Sequence, residues 1–301
     1  MTNWRRAQDR HFLQAIDAGY EAARSSKRVG RPPYPLRISS AGMCPRKLWY
    51  QRWGAEACSE PDAKSLRIFR LGDAIHDDIR RALRRAGFKG DIPTSKDEES
   101  ELSIEVAFGD DESETVTGHP DAILRDVEVD GEVVDVLVEI KSIGPAGWPY
   151  LFKEGPKEDH IAQASVYATA ADCTKCLYIY YQKGTSEVAC WLLDTSVEAA
   201  QRAWEGWRKV LEAGSEAPPE RAYEPVQEVM QGCSTGRKVL PWQCSYCDYA
   251  HPTCWGDSVT PDPTKAGKPR FVHSVNGEAV KPAPTRAESG WEAASVQAED
   301  W

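Results

Sequence analysis

A glutamate and a lysine two residues apart, Glu139-Ile-Lys141, close an almost continuously apolar run that begins at Val133. On an extended chain their side chains leave the same face, roughly 6.6 Å apart, and Ile140 leaves the other. Burying either charge is costly unless a partner or a metal compensates it. An edge-strand ion pair would give the same pattern, so other groups must converge on these two before they imply chemistry. Asp121, in Gly118-His-Pro-Asp, is the first candidate. An ideal two-residue turn at Asp130-Gly131 sets Asp121 opposite Ile140, whereas a three-residue loop or an equivalent bulge sets it opposite Glu139. Two facing carboxylates repel strongly without a cation. The expectation is therefore the shifted register with a divalent metal between the carboxylates. Hard oxygen donors suit Mg²⁺ or Mn²⁺, and His76 is the candidate nitrogen ligand that tilts the choice toward Mn²⁺.

Two further groups have suggestive spacing. His160, Gln163 and Tyr167 fall at i, i+3 and i+7 on a helical stretch, one polar stripe that also suits a hydrated face. Cys244-Ser-Tyr-Cys247 is followed by six residues and Cys254, a compact set of three thiols that needs a fourth ligand from elsewhere. Zinc ribbons and iron–sulfur clusters both accept four thiolates, so the spacing leaves both open. Cys233 and His251 compete for a place. Nine cysteines is an odd count over a long chain, which argues for reduced thiols rather than a disulfide framework. Cys173-Thr-Lys-Cys176 reads as buried thiols.

The elements that must carry these groups follow from periodicity. Residues 4–25 read as a helix ended by Arg31-Pro-Pro-Tyr-Pro, and Pro45 suits the first turn of a short helix with Cys44 at its start. From Leu66 to Ala86 the positions Ile68, Leu71, Ile75, Ile79, Ala82 and Ala86 form one apolar stripe, with His76 on its margin. Between residues 102 and 141 the period changes to two, which predicts a three-stranded meander whose last strand is buried on both faces. A helix over 157–171, strands at 176–182 and 187–193, and a helix over 197–211 follow. Ser215 to Pro225 is a linker, and residues 257–301, with Trp291 and Trp301, read as a disordered tail.

The chain of 301 residues is 41% apolar and 28% charged, as a soluble globular protein is. No apolar run approaches the roughly 18 residues of a membrane span, and the N-terminus lacks a signal-peptide core, so a cytoplasmic location is expected. The net charge of -10 hides a division: residues 1–90 hold 19 Lys/Arg against 9 Asp/Glu, so residues 91–301 carry the acidic excess. A basic first third is compatible with phosphate contacts, and Trp49, Tyr50 and Trp53 are candidates for base stacking or for the core.

Taken in order, Gly72-x-x-x-His76, Gly118-x-x-Asp121, Glu139-x-Lys141 and Gln163-x-x-x-Tyr167 resemble the motifs of the RecB-like branch of the PD-(D/E)XK nuclease superfamily, with Pro120 before Asp121. The resemblance spans about residues 38–213. It implies an α/β restriction-endonuclease-like core, a mixed sheet flanked by helices. It further implies a Mg²⁺- or Mn²⁺-dependent DNA exonuclease in which His76, Asp121, Glu139 and the Ile140 carbonyl bind the metal. Asp121, Glu139 and Lys141 would be the catalytic set, Lys141 acting on the attacking water, and Gln163 and Tyr167 would position the DNA backbone. In the similar CRISPR-associated exonucleases one cysteine ahead of the domain joins a C-terminal group around a four-iron, four-sulfur cluster. Ser39-Ser40 to Cys44-Pro-Arg-Lys-Leu-Trp-Tyr looks like that first segment, which implies Cys44, Cys244, Cys247 and Cys254 as ligands, although the last spacer is longer than the family's. DNA, single-stranded or with free ends, is the implied substrate, and a recombination or CRISPR-adaptation protein is an implied partner. The domain plan expected is an N-terminal segment (1–37), a nuclease core (38–213), a cysteine region (214–256) and the tail. A nuclease-fold DNA-binding protein without cleavage, and a zinc-ribbon interaction protein, are the rival readings.

Overall fold

The computed structural model describes residues 10–23, 31–58, 60–108, 114–230, 233–263 and 269–273. In chain order the elements are α1 (Arg10–Ala22), β1 (Leu36–Arg37), α2 (Pro45–Arg52), α3 (Ala63–Arg85), β2 (Lys89–Asp91), α4 (Lys96–Glu101), β3 (Ile104–Phe108) and β4 (Glu114–Gly118). They continue with β5 (Ala122–Val129), β6 (Glu132–Ile143), α5 (Trp148–Glu154), α6 (Glu158–Ala170), β7 (Lys175–Gln182), β8 (Val188–Asp194) and α7 (Val197–Glu212). Last come β9 (Val226–Met230), β10 (Cys233–Val239), α8 (Trp242–Ser245), β11 (Val259–Pro263) and β12 (Pro269–His273). The chain divides into two units, Met1–Ala55 with Glu60–Glu220, and Glu56–Ser59 with Arg221–Trp301. This division differs from the expected plan: the N-terminal segment belongs to the first unit, and the boundary lies late in the proline-rich linker.

The first unit is built on a mixed sheet in the order β2-β5-β6-β7-β8. β6 and β7 run parallel and every other pair is antiparallel. A parallel step needs a crossover, and α5 and α6 supply it. Val136, Val138 and Ile140 face one side of the sheet, where Ile75 and Ile79 of α3 cover them. Leu137, Tyr178 and Tyr180 face the other side, under α6 and α7. Burying each of those α3 isoleucines stabilises the unit by about 1.5–3 kcal/mol. Asp62 caps α3 by accepting the Ser65 N–H at 2.8 Å, an interaction worth typically about 1 kcal/mol. Only the middle of the expected apolar stripe, Ile75 and Ile79, reaches the core, since Ile68, Leu71, Ala82 and Ala86 are exposed.

The expected meander is corrected. Its middle strand is two strands, β4 and β5, in different sheets: β4 lies between β1 and β3 in a three-stranded sheet, and β5 enters the main one. Pro120 has no N–H for a ladder, and the chain changes sheets there. In the second unit β11-β12-β10-β9 form a four-stranded sheet. The expected tail is corrected here too, because residues 259–263 and 269–273 pair as strands and bury Val259, Phe271 and Val272. Residues 274–301, with Trp291 and Trp301, lie outside the described residues. Among the described residues no helix is long and apolar enough to cross a membrane.

Candidate active site

The register that places the carboxylates is set by a bulge. The β5–β6 hairpin closes through a two-residue turn, with Val129 opposite Glu132 and positive φ at Asp130 (53°) and Gly131 (85°). Continued unchanged, this pairing would set Asp121 opposite Ile140. Between Leu124 and Val127, however, Arg125 and Asp126 together oppose the single residue Asp135, and Ala122 ends up opposite Val138. A two-against-one bulge of this kind moves the register by one residue. Asp126 adopts φ 54° there, which a short polar side chain tolerates. Asp135 holds it: one carboxylate oxygen accepts the Asp126 N–H at 3.2 Å, and the other accepts Arg125 at 2.6 Å. Arg125 also reaches Asp91 on β2 at 2.9 Å. The turn is thus the two-residue kind, and the bulge supplies the shift that a longer loop would have given.

Beyond the bulge, Asp121 falls in line with Glu139. Its Oδ2 accepts the Ile140 N–H at 2.7 Å, where the ladder has ended, and its Oδ1 lies 2.7 Å from His76 Nδ1 on α3. A residue's N–H and C=O leave a strand on the same side, so the Ile140 carbonyl is also directed toward Asp121. On the face of β6 away from the Ile140 side chain, Glu139 is 1% exposed, and Lys141 Nζ lies 2.5 Å from its Oε1. Gln163 of α6 joins them, its amide oxygen accepting from Lys141 at 3.2 Å and its nitrogen donating to Glu139 Oε2 at 3.4 Å. Glu139 Oε1 is buried, and Lys141 is its partner there.

The two carboxylates titrate apart. Burial lifts Glu139 to about 7, with repulsion from Asp121 adding to it against the pull of Lys141. Burial acts on Asp121 too, but the His76 charge and hydrogen bond and the Ile140 N–H outweigh it and hold the carboxyl below its usual range. Burial opposes charge on Lys141 and His76 as well, yet Glu139 raises the one and Asp121 the other. Divergent acidities in adjacent carboxyls are the arrangement acid–base sites use. Among the described residues no three His, Cys, Asp or Glu side chains stand grouped as a ready metal cage. The cations that relieve the expected repulsion are the protein's own, Lys141 on Glu139 and His76 on Asp121.

Tyr167 departs from its expected place at a DNA backbone. It is 1% exposed, and its hydroxyl accepts the His119 N–H. A Cβ on Gly118 would stand 2.3 Å from that hydroxyl, so the glycine makes room for the tyrosine beneath the Pro120 corner. Trp49 and Tyr50 are packed in or against the core, and Trp49 donates to the Gly214 carbonyl at 2.7 Å, which removes them as stacking surfaces. Sequence reasoning missed the Arg125–Asp135–Asp126 clasp. Its signal was present: two adjacent charged residues interrupt the apolar run of β5. His160, the first residue of the polar stripe, has its Nδ1 2.7 Å from the Tyr180 hydroxyl, a partner the spacing did not indicate. Burial first, then Lys141, depress its pKa to about 3.

Of the cysteines, Cys44 precedes α2 in the first unit, and Cys244, Cys247 and Cys254 belong to the second. The latter three share one apolar cluster with Leu240, Trp255 and Phe271. Arg221 lies over the Trp255 ring, 4.3 Å from its centroid, and donates to the Cys254 carbonyl at 2.7 Å. Cys173 and Cys176 are buried, as expected.

No protein-family model matches the chain, and no curated protein does. Among solved structures it is similar to SSO0001, with 14% identity and a TM-score of 0.48 over 80% of this chain and 94% of that one. It is also similar to an alkaline exonuclease, LHK-Exo, from Laribacter hongkongensis, with 12% identity and a TM-score of 0.39 over 65% of this chain and 93% of that one. A third likeness, to Candida albicans Rai1 in complex with pU5-Mn²⁺, has 10% identity and a TM-score of 0.25 over 92% of this chain and 77% of that one. Likenesses this distant carry no weight of their own, and the functional reading rests on the side chains.

Proposed function

We propose that this chain is a divalent-metal-dependent deoxyribonuclease of the RecB-like kind, an exonuclease that hydrolyses DNA phosphodiesters. One observation carries the reading: a held bulge brings Asp121 into line with Glu139, beside Lys141 and His76, in a half-buried corner. The donor set fits Mg²⁺ or Mn²⁺, since Glu139 and Asp121 are two largely buried carboxylates that offer hard oxygen donors beside the His76 imidazole. Asp121, Glu139, His76 and the Ile140 carbonyl would hold the ion, in exchange for the present His76–Asp121 and Lys141–Glu139 pairings. When bound, it would lower the pKa of water and neutralise charge on the phosphate. Lys141, at 24% exposure, is placed to face the phosphate and to orient the attacking water. Gln163 bonds both Lys141 and Glu139 and so fixes their rotamers. Buried Tyr167 acts indirectly, by seating the Gly118–Asp121 corner.

Cys44, Cys244, Cys247 and Cys254 would hold a four-iron, four-sulfur cluster with a structural role. This part of the reading rests on the sequence resemblance and the cysteine spacing, since among the described residues no three thiols stand grouped as a ready metal cage. The test of the nuclease is cleavage of end-labelled single-stranded oligonucleotides with Mn²⁺. Wild type cuts, while Glu139→Ala and Lys141→Ala fold and do not. Wild-type protein that binds the strand and leaves it whole would instead make this a DNA-binding protein.

A further inference from the structure

Lys141 lies beside Tyr180 in the parallel β6–β7 register, with the two side chains on the same face. From Tyr180 a chain of aromatic rings leads outward. Trp191 of β8 meets Tyr180 edge-on at 5.7 Å, Phe152 of α5 lies 5.7 Å from Trp191, and Trp148 packs edge-on against Phe152 at 5.3 Å. Tyr180 is fully buried and Trp191 partly so, but Phe152 is 63% exposed and its helix neighbour Tyr150 is 61% exposed. Leu151 between them is buried and anchors α5, so the outward aromatics are not needed to seat the helix. Large exposed aromatics continuous with a reactive corner are an unusual use of surface.

We propose that Phe152 and Trp191 form a base-stacking subsite that receives an unpaired nucleotide of the strand whose phosphate faces Lys141. The inference rests on the nuclease reading and deepens it by naming single-stranded nucleic acid as the occupant. Three observations favour that occupant. The aromatic path starts one strand away from Lys141, a reach that a few nucleotides cover at about 3.4 Å each. Phe152 keeps most of its ring surface in solvent although Trp148 and Trp191 both contact it. Exposed Lys153 within α5 and Lys157 just after it, interleaved with exposed Glu154 and Glu158, are the cations at hand for a phosphate. A base in a duplex is already stacked on both sides, so only an unpaired one gains from such a platform.

The test is fluorescence anisotropy of a labelled oligothymidylate and of a duplex of equal length, without added divalent ion. Phe152→Ala is expected to weaken oligothymidylate binding about tenfold, as loss of one stacked base does, and to leave duplex binding unchanged. Phe152→Trp is expected to restore it. Unaltered single-strand binding by Phe152→Ala overturns the subsite, as does an equal loss on both substrates. A change of oligomeric state on size exclusion with binding intact also overturns it, because the patch is then a contact between copies. If wild type cuts DNA in an Asp121-dependent way while Phe152→Ala binds normally, only the subsite fails. If wild type neither binds nor cuts, the nuclease reading fails with it.

Discussion

Asp126 and Asp135 meet across the β5–β6 hairpin, the amide of the first donating to the carboxylate of the second at 3.2 Å. That contact governs the candidate site from a distance, because the bulge it holds decides which face Asp121 presents. Asp126 has a positive φ of 54°. Asp126→Gly is therefore expected to be neutral or stabilising by up to about 1 kcal/mol, while Asp126→Val costs about 1–2 kcal/mol. Urea unfolding measures both, and equal stabilities for the two variants would argue against the bulge.

Gly118 and Tyr167 are coupled by contact. Gly118→Ala puts a methyl against the tyrosine hydroxyl and is expected to cost about 1–3 kcal/mol. Tyr167→Phe removes the atom in the way, so the double variant should lose less than the two single losses together. A double-mutant cycle by denaturant titration reads this coupling directly.

His160 predicts a pH dependence. Its pKa is depressed to about 3 in the folded chain against 6.5 ordinarily, so between these values the unfolded state binds the extra proton. Stability from this group is complete above pH 6.5 and falls as pH drops toward 3. His160→Gln should flatten that part of the stability profile and leave the profile above pH 7 parallel to wild type. Thermal melts across the range measure it, and an unchanged acid limb would show that His160 is not held neutral.

Metal binding should register without turnover. Mn²⁺ at a hundredfold excess over its dissociation constant is expected to stabilise wild type by about 2.7 kcal/mol, seen as a rise in melting temperature. Asp121→Ala should melt at one temperature with or without Mn²⁺. A rise that persists in this variant would place the ion elsewhere.

The thiol-bound cofactor has a separate readout. Protein purified without oxygen is expected to be brown and to contain iron by elemental analysis, with Cys244→Ala losing both. Colourless protein containing zinc would replace the cluster with a zinc ribbon.

Much of the fold was legible because burial imposes a period. The apolar run ending at Glu139-Ile-Lys141 did become the central strand, and α6, β7, β8 and α7 fall close to their expected limits. Boundaries failed where one residue overrides the period, since Pro120 divides what alternation reads as one strand, and the helical stripe failed at Ile68 and Leu71, which keep its period but are exposed. The identities of His76, Asp121, Glu139, Lys141 and Gln163 were visible as residue types at helical and strand spacings. Whether Asp121 meets Glu139 was not visible, since strand faces alternate and a slip of one residue reverses the answer. The sequence by itself determined which groups are available and which elements carry them. Tertiary structure alone decided that Asp135 fixes the bulge, that Lys141 and His76 neutralise the carboxylates, and that Tyr167 is buried. Each of these depends on partners brought together across the fold, and local periodicity contains no term for such encounters.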